Sequence, residues 1–102
     1  MNNVTVTPEV LEGFAATNAA IGTAVGAAGS INAAANTAVM IPVFGLIGQE
    51  FLAAFIGAQA NHLFSVGNLA AVHASTAASA VAGLAQYEGS DAASAATLRS
   101  AL

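Results

Sequence analysis

Apolar positions recur along this chain at alternating steps of three and four. In the first half they are Leu11, Phe14, Ile21, Val25, Ala28 and Ala35, with Asn18 and Asn32 on the same line. After the middle, Phe51, Phe55, Ala58, Leu69, Val72 and Gly83 keep the rhythm, with His62, Ser65, Thr76 and Ser79 among them. Residues so spaced share one face of an α-helix and form a seam of the coiled-coil kind. A second stripe, Leu52, Ile56, Leu63, Val66, Val81 and Leu84, runs beside the later one, and Phe64 lies off both. The apolar arc of the second helix is therefore wider than one antiparallel neighbour covers.

The ends of these stripes carry boundary signals. At Thr7-Pro8-Glu9 a threonine caps, a proline gives up an N–H that has no partner in a first turn, and Glu9 and Glu12 complement the helix dipole. The middle segment Pro42-Val-Phe-Gly-Leu-Ile-Gly-Gln-Glu-Phe51 carries the second of two prolines and two of the ten glycines. Pro42 biases Ile41 towards extended backbone, and Gly45 and Gly48 offer dihedrals that cost other residues dearly. The pattern predicts helix over about 8–39, a turn over about 40–48, helix over about 49–86 and a tail over 87–102. Leu46, Ile47 and their aromatic neighbours make an unusual turn, because surface loops are normally polar. The tail either continues the helix or frays, with Gly89 weakening it.

The expected fold is all-α: a single-domain antiparallel two-helix hairpin, completed by a partner chain or by self-association. About 36 helical residues extend roughly 54 Å, so the hairpin is thin and leaves large side chains in water. The expected packing face is Phe14, Ile21, Val25, Phe51, Phe55, Leu63, Leu69 and Val72. Gly22, Gly26 and Gly29 lie beside the first stripe, where they read either as sites of close backbone approach or as fraying.

Composition narrows the function. Charged residues make up 6% of the 102 residues, against roughly 25% in ordinary soluble domains. A net charge of −4 with one basic side chain, Arg99, leaves nothing to neutralise phosphates, which excludes nucleic-acid binding. With no cysteine, disulfides and thiolate zinc sites are excluded. The opening residues lack a basic region and an apolar run, so no cleavable signal peptide is expected. A mean hydropathy of +0.75 and the absence of Asp, Glu, Lys and Arg between Phe51 and Tyr87 raise membrane association as an alternative. Pro42, Gln49, Glu50 and the later polar residues make it the less favoured one.

Candidate chemistry is sparse. His62 and His73 are eleven residues apart, three helical turns or about 16 Å, too far to share a metal, and read as buried, hydrogen-bonded histidines. Glu50 has no second carboxylate or nucleophile near it in sequence and reads as a charge at a helix start. Asn3-Val4-Thr5 fits a glycosylation acceptor and carries no weight. No phosphate loop, nucleophile elbow or carboxylate pair is present, so neither an enzyme nor a cofactor is expected. Tyr87 and Asp91 stand at i and i+4, on one face of a helix that survives Gly89.

Three landmarks together resemble one family. Val6-Thr7-Pro8-Glu9-Val10-Leu11, the turn Phe44-Gly45-Leu46-Ile47-Gly48-Gln49-Glu50-Phe51-Leu52, and Tyr87-x-x-x-Asp91 look like the EspC-like substrates of type VII (ESX) secretion in actinobacteria. The resemblance covers nearly the whole chain. The related PE domain shares the Pro8-Glu9 start, an Ile-Gly like Ile21-Gly22 and the same kind of tail; the turn with Gly48 and Phe51 favours the EspC-like group. The wider WxG-type superfamily carries a tryptophan at the turn, where this chain has Phe44-Gly45. The resemblance implies a non-enzymatic helical hairpin, secreted or displayed at the cell surface. Tyr87 and Asp91 would form its export signal, and Pro42, Phe44, Gly45, Gly48 and Phe51 its turn motif. The partners implied are a co-secreted helical protein or further copies, and a secretion ATPase or chaperone of the ESX machinery.

Overall fold

The computed structural model describes residues 3–102. The first two residues, part of the start read as lacking a basic leader, lie outside the described residues. Helix α1 spans Pro8–Gly29, α2 spans Ala33–Phe44 and α3 spans Gln49–Ser100; among the described residues there is no strand. Helices α1 and α2 form one limb of a hairpin and α3 the other. Contacts run backwards along α3 as they run forwards along the first limb: Asn18 meets His73, Gly29 meets Val66, Asn36 meets Gln59 and Phe44 meets Phe51. The result is a rod of 85 × 20 × 20 Å.

The first limb is broken where the apolar rhythm predicts an unbroken helix. Ser30 is extended (φ −68°, ψ 129°), and Asn32 restarts the helix by accepting at Oδ1 from the Ala35 N–H at 2.9 Å. Asparagine competes with helical backbone for hydrogen bonds and favours this capping position, which overrides its place on the stripe. Conversely, Pro42 does not end the limb near Val39. It sits inside α2, one turn from its end. Its missing N–H frees only the carbonyl one turn back, and Pro42 and Ala38 both face water, where that carbonyl finds hydration.

The turn does not use left-handed backbone: none of its residues has positive φ, and Gly45 is right-handed helical (φ −65°, ψ −24°). What the two glycines supply is room. A Cβ on Gly45 would lie 2.5 Å from the Ile41 carbonyl oxygen, and one on Gly48 would lie 3.0 Å from the Phe44 ring. The amides of Gly45 and Gly48 donate to Ile41 and Phe44 carbonyls at 2.8 Å, closing the turn compactly.

The seam also differs from the predicted one. On α1 it runs through Leu11, Ala15, Asn18, Gly22, Val25 and Gly29, alternate members displaced by one position from the predicted line. On α3 it runs through Leu52, Gln59, Val66, His73 and Ala80, with Leu63, Ala70, Ala77 and Leu84 alongside, and this is mostly the second stripe. Small residues face the partner limb. A Cβ on Gly22 would meet the Ala70 carbonyl oxygen at 3.1 Å, and one on Gly29 would meet Val66 Cγ1 at 2.5 Å, so these glycines mark close approach of the limbs rather than fraying. Close approach leaves no space for Phe14 and Ile21 at the interface, and both are exposed. Among the described residues only Ala15, Ala77 and Leu84 are buried bulky or methyl-bearing apolar residues, so the hairpin has a seam and hardly a core.

Candidate functional site

Helix α3 outruns the first limb. Tyr87 lies opposite the start of α1, lining a cleft with Thr5, Val6, Thr7, Val10 and Leu11, and α3 then continues through Gly89 to Ser100, past the start of α1. The segment read as a tail is therefore helix, projecting by roughly 20 Å for its thirteen residues at 1.5 Å each. Gly89 is tolerated because helix propensity is one local term inside a long, already nucleated helix.

Tyr87 and Asp91 stand one turn apart at the root of this projection. Tyr87 is 47% exposed, and Asp91 is exposed. Their placement follows from the seven-residue repeat of the seam. Tyr87 continues the line of Leu52, Gln59, Val66, His73 and Ala80, and Asp91 continues that of Leu63, Ala70, Ala77 and Leu84. They thus occupy the side of α3 that the first limb covers elsewhere, Tyr87 against the start of α1 and the residues before it, and Asp91 one turn beyond. A half-exposed phenol and an exposed carboxylate at this edge can donate and accept hydrogen bonds with an incoming chain.

The residues expected to form the packing face are divided by the structure. Val25, Phe55 and Leu63 are half-buried in the seam, whereas Phe14, Ile21, Phe51, Leu69 and Val72 are exposed on the single chain. At the turn, the Phe44 and Phe51 rings pack with centroids 5.0 Å apart and Phe51 stacks on Phe55 at 6.4 Å, over the space left by Gly48. An open groove of about 620 Å³, walled by Ala15, Ala16, Ala19, Ala77, Ala78 and Val81, runs along one side of the shaft.

The histidines part company. His62, expected to be buried, faces water, because the seam lies one position along from the predicted stripe. His73 is half-buried with Nδ1 at 3.3 Å from Asn18 Oδ1. Since Asn18 Nδ2 donates to the Phe14 carbonyl at 3.0 Å, its Oδ1 is the acceptor and His73 Nδ1–H the donor. The sequence pattern alone missed a second polar bridge. Gln59, 6% exposed, accepts from Asn36 Nδ2 at 3.0 Å and reaches the Thr37 hydroxyl at 3.5 Å, tying α2 to α3. Glutamine in a seam position opposite Asn36 was the available signal. Glu50 stands exposed in the first turn of α3. Among the described residues no three His, Asp or Glu gather to hold a metal.

Comparison with known proteins gives one result. The model of the family described as "Excreted virulence factor EspC, type VII ESX diderm" matches residues 1–100. No curated protein and no solved structure matches.

Proposed function

Because the chain belongs to the EspC family of virulence factors excreted by type VII (ESX) secretion, we propose that it is a non-enzymatic secretion substrate that travels with a helical partner or further copies of itself. Tyr87 and Asp91 serve as its export signal. The observation that carries this reading is their exposure at the end of the hairpin, Tyr87 at the start of α1 and Asp91 one turn beyond it, where a secretion ATPase or chaperone can reach both while the hairpin stays folded. The exposed Phe14, Ile21, Leu69 and Val72 and the alanine-walled groove supply the partner face. Burying a large side chain in full contributes about 1.5–3 kcal/mol, and these four, 39–59% exposed on the single chain, each add part of that to an assembly.

The test is secretion from the native host. Tyr87→Ala and Asp91→Ala leave helicity unchanged, since both side chains are exposed, and remove the protein from the culture filtrate while it accumulates in cells. Normal export of both variants would sink the signal assignment. A monodisperse, stably folded monomer by light scattering at micromolar concentration would sink the partner assignment.

A further inference from the structure

The two ends of the rod differ in chemistry. Of the six charged side chains, Glu9, Glu12, Glu88, Asp91 and Arg99 lie at or beyond the end where α1 begins, and Glu50 alone lies near the turn. Bulky aliphatic residues gather at the turn instead: Val39, Ile41, Val43, Leu46 and Ile47 are all exposed, Leu46 at 95% and Ile47 at 99%. The shaft exposes bulky residues too, among them Val10, Phe14, Phe64 and Val72, but none as fully as Leu46 and Ile47.

We propose that this tip inserts shallowly into a lipid bilayer, with Leu46 and Ile47 entering first. Three features favour lipid over a helical partner. A partner helix is met by a stripe, but at 100° per residue the exposed Val39 and Val43 stand about 160° around α2 from the exposed Ile41, so the apolar surface is not confined to one face. Leu46 and Ile47 lie at the extreme end of the rod, where a neighbouring helix reaches only by end-on contact. Residues Pro8–Phe44 are also long and apolar enough to cross a membrane, and none of their most apolar window is buried inside the molecule.

Two features limit the depth. The break at Ser30–Asn32 interrupts any straight span, and Glu50, one turn back from Ile47, keeps its carboxylate among the headgroups. Insertion of roughly 5–10 Å, the depth of interfacial anchors, places Leu46, Ile47 and Val43 in hydrocarbon with Glu50 outside. A net charge of −4 gives no attraction to anionic lipid, so zwitterionic bilayers are bound at least as well and added salt changes little. This inference is independent of the export signal, which lies at the other end.

The chain contains no tryptophan, so a single introduced one reports without background. Purified full-length Leu46→Trp and Thr97→Trp are titrated with phosphatidylcholine vesicles. The Leu46→Trp emission shifts to the blue and becomes protected from an aqueous quencher, and the Thr97→Trp emission does not move. In flotation with the same vesicles, the Leu46→Ser/Ile47→Ser variant partitions roughly a hundredfold less than the parent, about tenfold per aliphatic side chain withheld from hydrocarbon. Its circular dichroism is unchanged, because neither side chain packs within the hairpin. The proposal is overturned by an unchanged Leu46→Trp spectrum at saturating lipid, or by equal shifts at both reporters, which place the whole rod on the surface. It is also overturned by a lipid-independent shift that grows with protein concentration, which makes a second copy the occupant of the tip.

Discussion

Two alanine substitutions at glycines of the same helix should move stability in opposite directions. A Cβ on Gly13 meets nothing within 4 Å, whereas one on Gly29 lies 2.5 and 2.7 Å from the two Cγ atoms of Val66. Gly13→Ala therefore gains helix propensity alone, about 0.8–1.0 kcal/mol. At Gly29, the last residue of α1, the propensity gain is small, and the new methyl overpacks the seam at a cost of about 1–3 kcal/mol. Val66 cannot turn aside cheaply, since a β-branched side chain in a helix has one strongly preferred rotamer. The two variants should differ by roughly 2 kcal/mol, which at about 4–8 °C per kcal/mol separates their melting temperatures by about 8–16 °C. Far-UV circular dichroism at one fixed protein concentration measures this, the concentration being held because association would shift both curves. Adding Val66→Ala should relieve Gly29→Ala and not Gly13→Ala. If Gly29→Ala melts at or above Gly13→Ala, the limbs do not approach as closely as the seam requires.

Two further outcomes test the joints of the rod. Asn32→Ala removes the cap of α2 and should cost about 1 kcal/mol, seen as faster amide exchange over residues 33–36 with α1 unaffected; equal exchange in the parent would mean that the break is held by something other than this cap. Asn36→Ala and Gln59→Ala should be non-additive by about 0.5–1.5 kcal/mol in a double-mutant cycle of thermal stability, because each removes the same hydrogen bond, and strict additivity would dissolve the bridge.

The hairpin was legible because it rests on redundant signals: Thr7-Pro8-Glu9 starts one limb, an apolar glycine-bearing turn separates two stripes, and both stripes keep helical spacing. The seam was harder to place. In an alanine-rich helix neighbouring stripes differ little in hydrophobicity, so the interface was decided by terms that a periodicity count omits, namely how closely Gly22 and Gly29 let the limbs approach and which polar groups bond across them. Asn32 satisfied two descriptions, a stripe member and a cap, and only the backbone distinguishes them. Pro42 was read too strongly, since a proline in the last turn of a solvated helix costs one hydrogen bond that water replaces. Tyr87 and Asp91 were recognisable from the family resemblance, and a bare phenol–carboxylate pair at i and i+4 is common. What distinguishes them physically is where α1 starts relative to α3, a long-range register that depends on the turn at Gly45–Gly48, in the middle of the chain.

That register also bears on how an isolated stretch of helix can present the proposed signal. A segment as short as residues 88–100, alone in water, is marginal because the first helical turn is costly to form. Here α3 enters the projection already formed and held by the first limb, so only propagation is needed and fraying starts from the Ser100 end. Asp91 lies one turn from the last point of support at Tyr87, and Leu98 nearly three, so the pair stands in the best-ordered part of the projection. Shortening α1 at its start would extend the unsupported length and loosen the pair without touching either residue. The Thr7-Pro8-Glu9 start, which fixes that length, is therefore part of the physical basis of the proposed signal although it makes none of its chemistry.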